Sequence, residues 1–446
     1  MSDPLAHLPH DLVRKALKSG ADAAEAVIAE RQSLSVGVRL GALEEVEREE
    51  SRDLGLRVWI GQRQASVSAS DLSEKTADRL VERAVAMARL APEDPFTGLA
   101  PEELLARDEP RNLDLFDPAE FSAEQLEARA REAEEAARAV PGVANSEGGS
   151  ASWTSGGWRL VTSAGFEGVH RGSASSVSAS VIAGEGSAME RGGEGRSARW
   201  AADLPAPAEI GRLAGERAVK RLGARKIDSQ TATVIIENRI AASLLSSFVG
   251  AISGPAIARG VSFLKDRLGE QVFSDAVTLV DDPFRPRGLG STPFDDEGVQ
   301  VEERAIVDRG VLTTWLLNTS SAKQLGLAST GHASRGLAGP AGVSGHNLHI
   351  LPGQRNLAGL MADAGKGLLI TAMFGPSINA NTGDWSAGVS GFWFEDGELA
   401  YPVTEITVAG ALPDIYRRMI PGSDLEFRGS MNAPSLMVEG MAIAGK

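Results

Sequence analysis

The sequence predicts an α+β protein: an N-terminal domain of antiparallel sheet with flanking helices, then a mostly antiparallel, curved or barrel-like β domain with a buried helix. Three observations predict it. Apolar and polar residues alternate with the two-residue period of a half-buried strand, as at Val36, Val38 and Leu40 against Ser35, Gly37 and Arg39. Amphipathic runs of helical period lie between such stretches, as from Asp71 to Leu90. The chain of 446 residues also exceeds the ~250–300 at which a single hydrophobic core stops growing, so two domains are expected, 1–225 and 226–446.

Residues Asp11 to Ser19 read as a short opening helix ended by Gly20. A strand follows from Ala24, then a second alternating run at Leu43, Val46 and Arg48 and a third at Leu56, Val58 and Ile60, an antiparallel meander. The helix from Asp71 to Leu90 gives way to an irregular connection, because Pro92, Pro95, Pro101 and Pro110 interrupt residues 91–110. Ser122 and Gln125 have capping-box spacing and start another helix, which stops before Pro141-Gly142. Residues 150–200 are rich in Ser, Gly and Ala. Even so, Val177, Ala179 and Val181 alternate with serines and Trp158, Leu160 and Val161 precede Gly165, so this segment reads as long strands. A helix from Ala208 to Leu222 closes the first half.

In the second half, Val234, Ile235 and Ile236 form a buried strand, and an uncharged run from Ile240 to Ala258 follows. Ile240, Leu244, Phe248 and Ala251 recur at helical spacing, which places Ser243, Ser246 and Ser247 beside an apolar, core-facing stripe. The run nears the ~20 residues that span a bilayer, but four serines, two glycines and Pro255 make it a buried helix and not a membrane span. Asp308-Arg309-Gly310 between Ile306-Val307 and Val311–Leu317 predicts a hairpin, and Asp396-Gly397 between Phe392–Phe394 and Leu399–Val403 predicts another. Gly331 to Gly345 is a long Gly-rich loop. Leu357 to Met361 begins a short helix, and Leu368 to Met373 is a further strand.

Composition narrows the function. A net charge of -15 opposes extended contact with phosphates, so no direct nucleic-acid partner is expected. The chain has no Cys, hence no thiolate ligand or Cys nucleophile, which fits a reducing compartment. The N-terminus has Asp3 and His7 and no continuous apolar core of a secretory signal, so the expected setting is cytoplasmic.

Motifs of catalysis are scarce. His346 and His349 make an HxxH spacing, but in a strand such positions point to opposite faces and make a poor metal pair. His332, in the Gly-rich loop, is a weak candidate for ligand contact. So are Asp295, Asp296 and Glu297, whose spacing lacks the alternation of an EF-hand and reads foremost as a solvated turn. Gly359–Gly367 has one residue too many for a P-loop and no Ser or Thr after Lys366; there is no GxSxG and no HExxH-type pair.

The C-terminal half resembles the TldD/PmbA metalloprotease family, and within it the PmbA (TldE) branch, often labelled modulator of DNA gyrase. The resemblance is carried by Leu244-Leu245-Ser246-Ser247-Phe248-Val249-Gly250-Ala251, Arg259-Gly260, Arg267-Leu268-Gly269, PFDDEG at Pro293–Gly298, NLHILPG at Asn347–Gly353 and TGDWS at Thr382–Ser386. It implies that the two His positions of the family's zinc-binding HExxxH helix fall on Ser246 and Ala251, its general base on Ser247, and a third, Cys ligand on Met373. Hydroxyl, methyl and thioether groups are poor zinc donors, so the resemblance implies four degenerate site positions and no metal or other cofactor in this chain. It further implies a heterodimer with a zinc-bearing TldD-type subunit acting on an unfolded peptide, as in precursor maturation or antitoxin degradation, and no membrane partner. Two alternatives stand beside it: a self-sufficient peptidase built around His332 and Asp295–Glu297, and a peptide-binding regulatory homodimer.

Overall fold

The computed structural model describes residues 7–109 and 111–446; the first six residues of the N-terminal reading, and Pro110 of the irregular connection, lie outside it. The chain is α+β, with an antiparallel sheet in the first half and a closed barrel in the second. It opens with α1 (Leu8–Lys18), β1 (Ala23–Arg39), β2 (Ala42–Ile60) and β3 (Arg63–Ala69). The second and third alternating runs are one strand, because β2 pairs with β1 from Ala42 to Trp59 with a single bulge at Glu44. Leu40 and Gly41 both have positive φ, 51° and 77°, the two-residue turn whose twist matches the flanking strands.

In α2 (Glu74–Leu90), the Ser73 side chain accepts from Thr76 N, and Ala77, Leu80, Val81, Ala84 and Val85 are buried as the periodicity predicts. The box at α3 (Ala123–Arg138) is reciprocal, with Ser122 and Gln125 each bonded to the other's backbone. The Ser-rich segment becomes β4 (Val143–Thr162), β5 (Glu167–Ala183) and β6 (Glu190–Ala198), giving an all-antiparallel sheet in the order β3-β2-β1-β4-β5-β6. Its small side chains pair across strands, as in the hydroxyl bonds Ser150–Ser178 and Ser152–Ser176 at 2.8 and 2.7 Å. In α4 (Pro207–Lys220), a Cβ at Gly211 would stand 1.9 Å from Ala133 O, so glycine is what lets α4 lie this close to α3.

The second half begins with β7 (Gln230–Ile236), α5 (Asn238–Ala251) and α6 (Gly254–Ala258), so the uncharged run is two helices and not one. The chain continues through β8 (Leu279–Asp281), β9 (Arg304–Asp308), β10 (Val311–Leu312), α7 (Thr319–Leu325), β11 (Ala333–Ser334), β12 (Gly342–Val343), β13 (Leu348–Ile350) and α8 (Leu357–Ala364). It ends with β14 (Gly367–Ile378), β15 (Asp384–Glu395), β16 (Glu398–Ala411), α9 (Leu412–Arg418), β17 (Ile420–Pro421), β18 (Met431–Asn432) and β19 (Leu436–Ala444). Both predicted hairpins form, with positive φ at Arg309-Gly310 and Asp396-Gly397. The return strand of the first is only two residues, because the chain leaves it so that Leu316 can bridge to Ser253 instead.

Strands β16-β15-β14-β7-β19 are joined in that order, and β16 also pairs with β19, which closes a five-stranded barrel; only β7 and β14 run parallel. Leu244 and Phe248 of α5 pack in one core with Val234, Ile236, Ile370, Trp385, Val408 and Val438. Ile235, Leu369, Phe394 and Met437 pack on a separate cluster with Leu360 and Met361 of α8. Burial on both faces explains why β7 is continuously apolar where it meets β14. No helix among the described residues is long and apolar enough to cross a membrane.

The two halves meet where the 331–345 loop reaches the first sheet. A Cβ at Gly55 would lie 2.4 Å from Leu337 O, Arg57 donates to Gly339 O at 2.8 Å, and Arg335 pairs with Glu25 at 2.8 Å. Phe294 adds edge contacts to Phe166 and His170, with ring centroids 5.1 and 5.7 Å apart. Burial, with Arg199 nearby, pushes the His170 imidazole down to about 4. The unfolded chain takes up that proton near pH ~6.5 while the folded chain resists it, so this share of stability is complete above ~6.5 and is lost as pH falls toward 4. His170→Gln is therefore expected to lose less of its urea midpoint than the wild type between pH 7 and pH 5; equal losses would contradict the assignment.

Candidate functional site

Two places collect the residues that the sequence singles out: the outer face of α5, and the buried ground beneath the 331–345 loop. On α5, Ser246 is exposed, Ser247 half-buried and Ala251 buried. Five residues along a regular helix turn the direction by about 140°, so Ser246 and Ala251 do not share a face. The Ser246 hydroxyl bonds back to Ala242 O at 3.3 Å and touches the Met431 sulfur at 3.6 Å. The Met373 sulfur stands 3.5 Å from the Ser243 hydroxyl, one turn earlier, so the thioether beside Ser246 is that of Met431. A zinc ion needs imidazole, thiolate or carboxylate donors, and these positions offer hydroxyls, a methyl and thioethers. The residues present do not fit the metal.

Beside this face β14 has a free edge. Its pairing with β7 ends at Ile370, where α5 begins; beyond it the strand pairs with β15 alone, at Ala372–Phe374 and again at Ser377 and Ile378, and the Thr371 carbonyl accepts from Arg239. Phe374 and Ile378 are exposed along it.

The second place differs from its sequence reading. His332 is not in an open loop: it is buried, 1% exposed, with Nε2 at 2.9 Å from Asp281 Oδ2 and Nδ1 at 2.8 Å from Thr330 Oγ1. His346 reaches the same Asp281 oxygen through Nδ1 at 2.7 Å, and its backbone N–H donates to Oδ1 at 2.8 Å. His349 faces elsewhere, edge-on to Phe427, so the HxxH pair divides as expected of strand geometry. Burial pushes the Asp281 carboxyl up, but hydrogen bonds from His332 and His346 outweigh it and hold the group well below the usual carboxylate range. Burial lowers His332 against the pull of Asp281. Asp281, His332 and His346 offer three donor atoms within 4.8 Å of one another, yet each bond already made has its acceptor, the arrangement of a satisfied core network. Asp281 carried no signal in the sequence, standing 51 and 65 residues from its two partners.

The acidic cluster is not a solvated turn either, since Asp295 and Glu297 are buried. Asp295 accepts from the backbone of Glu297, Val299 and Ala333, Asp296 from Arg335 N, and Glu297 from Thr319 N. These carboxylates shape the loop by satisfying its N–H groups. Burial, then repulsion from Glu297, raises Asp295 well above its ordinary value. The structure brings Asp295–Glu297 next to His332 in space but turns their oxygens to backbone donors. Asp281→Ala strands two buried imidazoles and a backbone donor, and is expected to cost about 3–5 kcal/mol in urea unfolding; a cost below ~1 kcal/mol would remove the network from the fold's supports.

Comparison with known proteins gives a consistent answer over nearly the whole chain. Family profiles match in three consecutive parts: PmbA/TldA metallopeptidase domain 1 over residues 24–88, the central domain over 116–222 and the C-terminal domain over 229–445. The chain is 39% identical to the metalloprotease PmbA of Escherichia coli O157:H7 over 433 residues, 96% of this chain and 94% of that one. A crystal structure from Bacteroides thetaiotaomicron, whose name proposes a modulator of DNA gyrase, superposes with a TM-score of 0.92 at 28% identity and covers both chains fully. TldE of Thermococcus kodakarensis, at 22% identity and a TM-score of 0.88 over 98% of this chain and all of that one, shares the fold.

Proposed function

The chain belongs to the PmbA/TldD metallopeptidase family, and from that membership we propose that it is a non-catalytic PmbA/TldE-type subunit of a proteolytic assembly. Its partner in this proposal is a TldD-type chain that carries the zinc, and the substrate is an unfolded peptide. One observation carries the reading: where the family's HExxxH ligands and base are needed, α5 presents Ser246, Ser247 and Ala251, with Met373 and Met431 as the neighbouring sulfurs. A residue set without zinc donors or a general base has no means to activate water by the family's chemistry.

The free edge of β14 supports the peptide half of the proposal. An extended chain added there would be held by backbone hydrogen bonds, which tolerate any sequence, in keeping with a broad unfolded substrate. A cytoplasmic setting is part of the same proposal. A self-sufficient peptidase based on His332 is disfavoured by the saturation of its ring nitrogens with Asp281 and Thr330.

Affinity recovery of the chain from its native cells is expected to bring down an HExxxH-bearing chain in near-equal amount. The mixture should cleave an unfolded peptide that the isolated chain leaves intact. Cleavage by the isolated chain, or recovery without such a partner while both are expressed, would overturn the proposal.

A further inference from the structure

Between α4 and the outer face of β14–β16 lies a cleft of about 680 Å³. Five cationic side chains line it against three carboxylates, and two of the five, Arg191 and Arg217, are paired with Glu147 and Glu194 from outside the lining. The cations divide by use. Arg217 is committed to Glu194, a buried carboxylate that also holds Arg196 and Arg428 and so ties β6 to the second half of the chain. Arg221 is not: among the described residues no carboxylate lies within ion-pair distance of it, and its guanidinium donates to Arg191 O at 3.0 Å and, at 3.5 Å, to Thr371 Oγ1. Arg239 faces Glu237 at 3.1 Å and donates to Thr371 O at 2.7 Å, yet its Nε is buried without a partner. Interdomain attachment accounts for Arg217 and leaves Arg221 and Arg239 with donors to spare.

The remaining wall is apolar. Phe374 and Leu399, both about half exposed at 58% and 50%, stand in the same cleft with Phe392. Large apolar groups exposed beside under-used guanidinium groups match one kind of ligand, an anion attached to an apolar body. Burial, and then the nearby Arg239, pull the Arg217 guanidinium down to about 10 against the opposing pull of Glu237 and Glu426.

We propose that this cleft binds the C-terminal end of a peptide, its free carboxylate on Arg221 and Arg239 and an apolar last side chain against Phe374, Phe392 and Leu399. The inference rests on the peptide-handling reading above and assigns that role to a site of this chain's own, which takes Arg239 from the first turn of α5 but not its Ser246–Ser247 face. A carboxylate is preferred to a phosphate because the fork of a guanidinium pairs with it in plane while the apolar wall accepts the side chain on the same residue.

The test is fluorescence anisotropy on the full-length chain alone, so that it does not depend on a partner or on cleavage. The probes are a labelled unstructured peptide ending in Phe with a free carboxylate, the same peptide amidated, and the same peptide ending in Gly. Amidation and Arg221→Gln are each expected to weaken binding roughly ten-fold, and the amidated peptide should not distinguish the variant from the wild type. Ending in Gly, or Phe374→Ala, should weaken it several-fold. Equal affinity of free and amidated peptides, or no binding of either, overturns the site whatever the fate of the partnership, and the amidation arm needs no variant to fold. Inorganic phosphate competing at the same concentration as acetate would instead assign the cleft to anions in general and overturn the peptide terminus.

Discussion

Closing five strands into a barrel leaves an interior that must be filled, and burial of α5 meets that need. Leu244 and Phe248 share one core with β7, β14, β15, β16 and β19, and Phe248 meets Phe273 and Tyr416 edge to face at centroid distances of 4.9 and 5.7 Å. Each such side chain is worth about 1.5–3 kcal/mol when fully buried. The Tyr416 hydroxyl adds a bond to Leu244 O at 3.2 Å. The helix is thus required by packing alone. Its outer face, where Ser246 is exposed and Ser247 half-buried, is not part of that packing.

The link between the halves depends on charge buried with partners. Glu25 meets Arg57 and Arg335, while Glu194 gathers three arginines from both halves. Breaking such a pair from one side is costly, because the remaining charge stays in a dry place. The Glu25 pair joins the 331–345 loop to the first sheet, and the Glu194 cluster joins β6 to Arg428 of the second half.

Much of the fold was legible because its signals are local. The capping box at Ser122, the hairpin turn at Asp396-Gly397 and the apolar stripe of α5 each depend on residues within a few positions of one another. The merging of two runs into β2 was not legible, since the polar stretch from Glu44 to Arg52 is held by pairing with β1 and not by its own burial. The parallel pairing of β7 with β14 was hidden for the same reason, as its partners are over a hundred residues apart. At the candidate site, the chemistry of Ser246, Ser247, Ala251 and Met373 could be judged from residue type. The roles of His332 and Asp295 could not, because Asp281 and the backbone donors that occupy them come from distant segments.

The central claim is that α5 is a structural helix whose outer face holds no metal. The most direct measurement is the zinc content of the untagged, isolated full-length chain by plasma mass spectrometry after dialysis against trace zinc. The account predicts far less than one zinc per chain. One tightly held zinc per chain, lost on substitution of Ser246 or Met431, would contradict it.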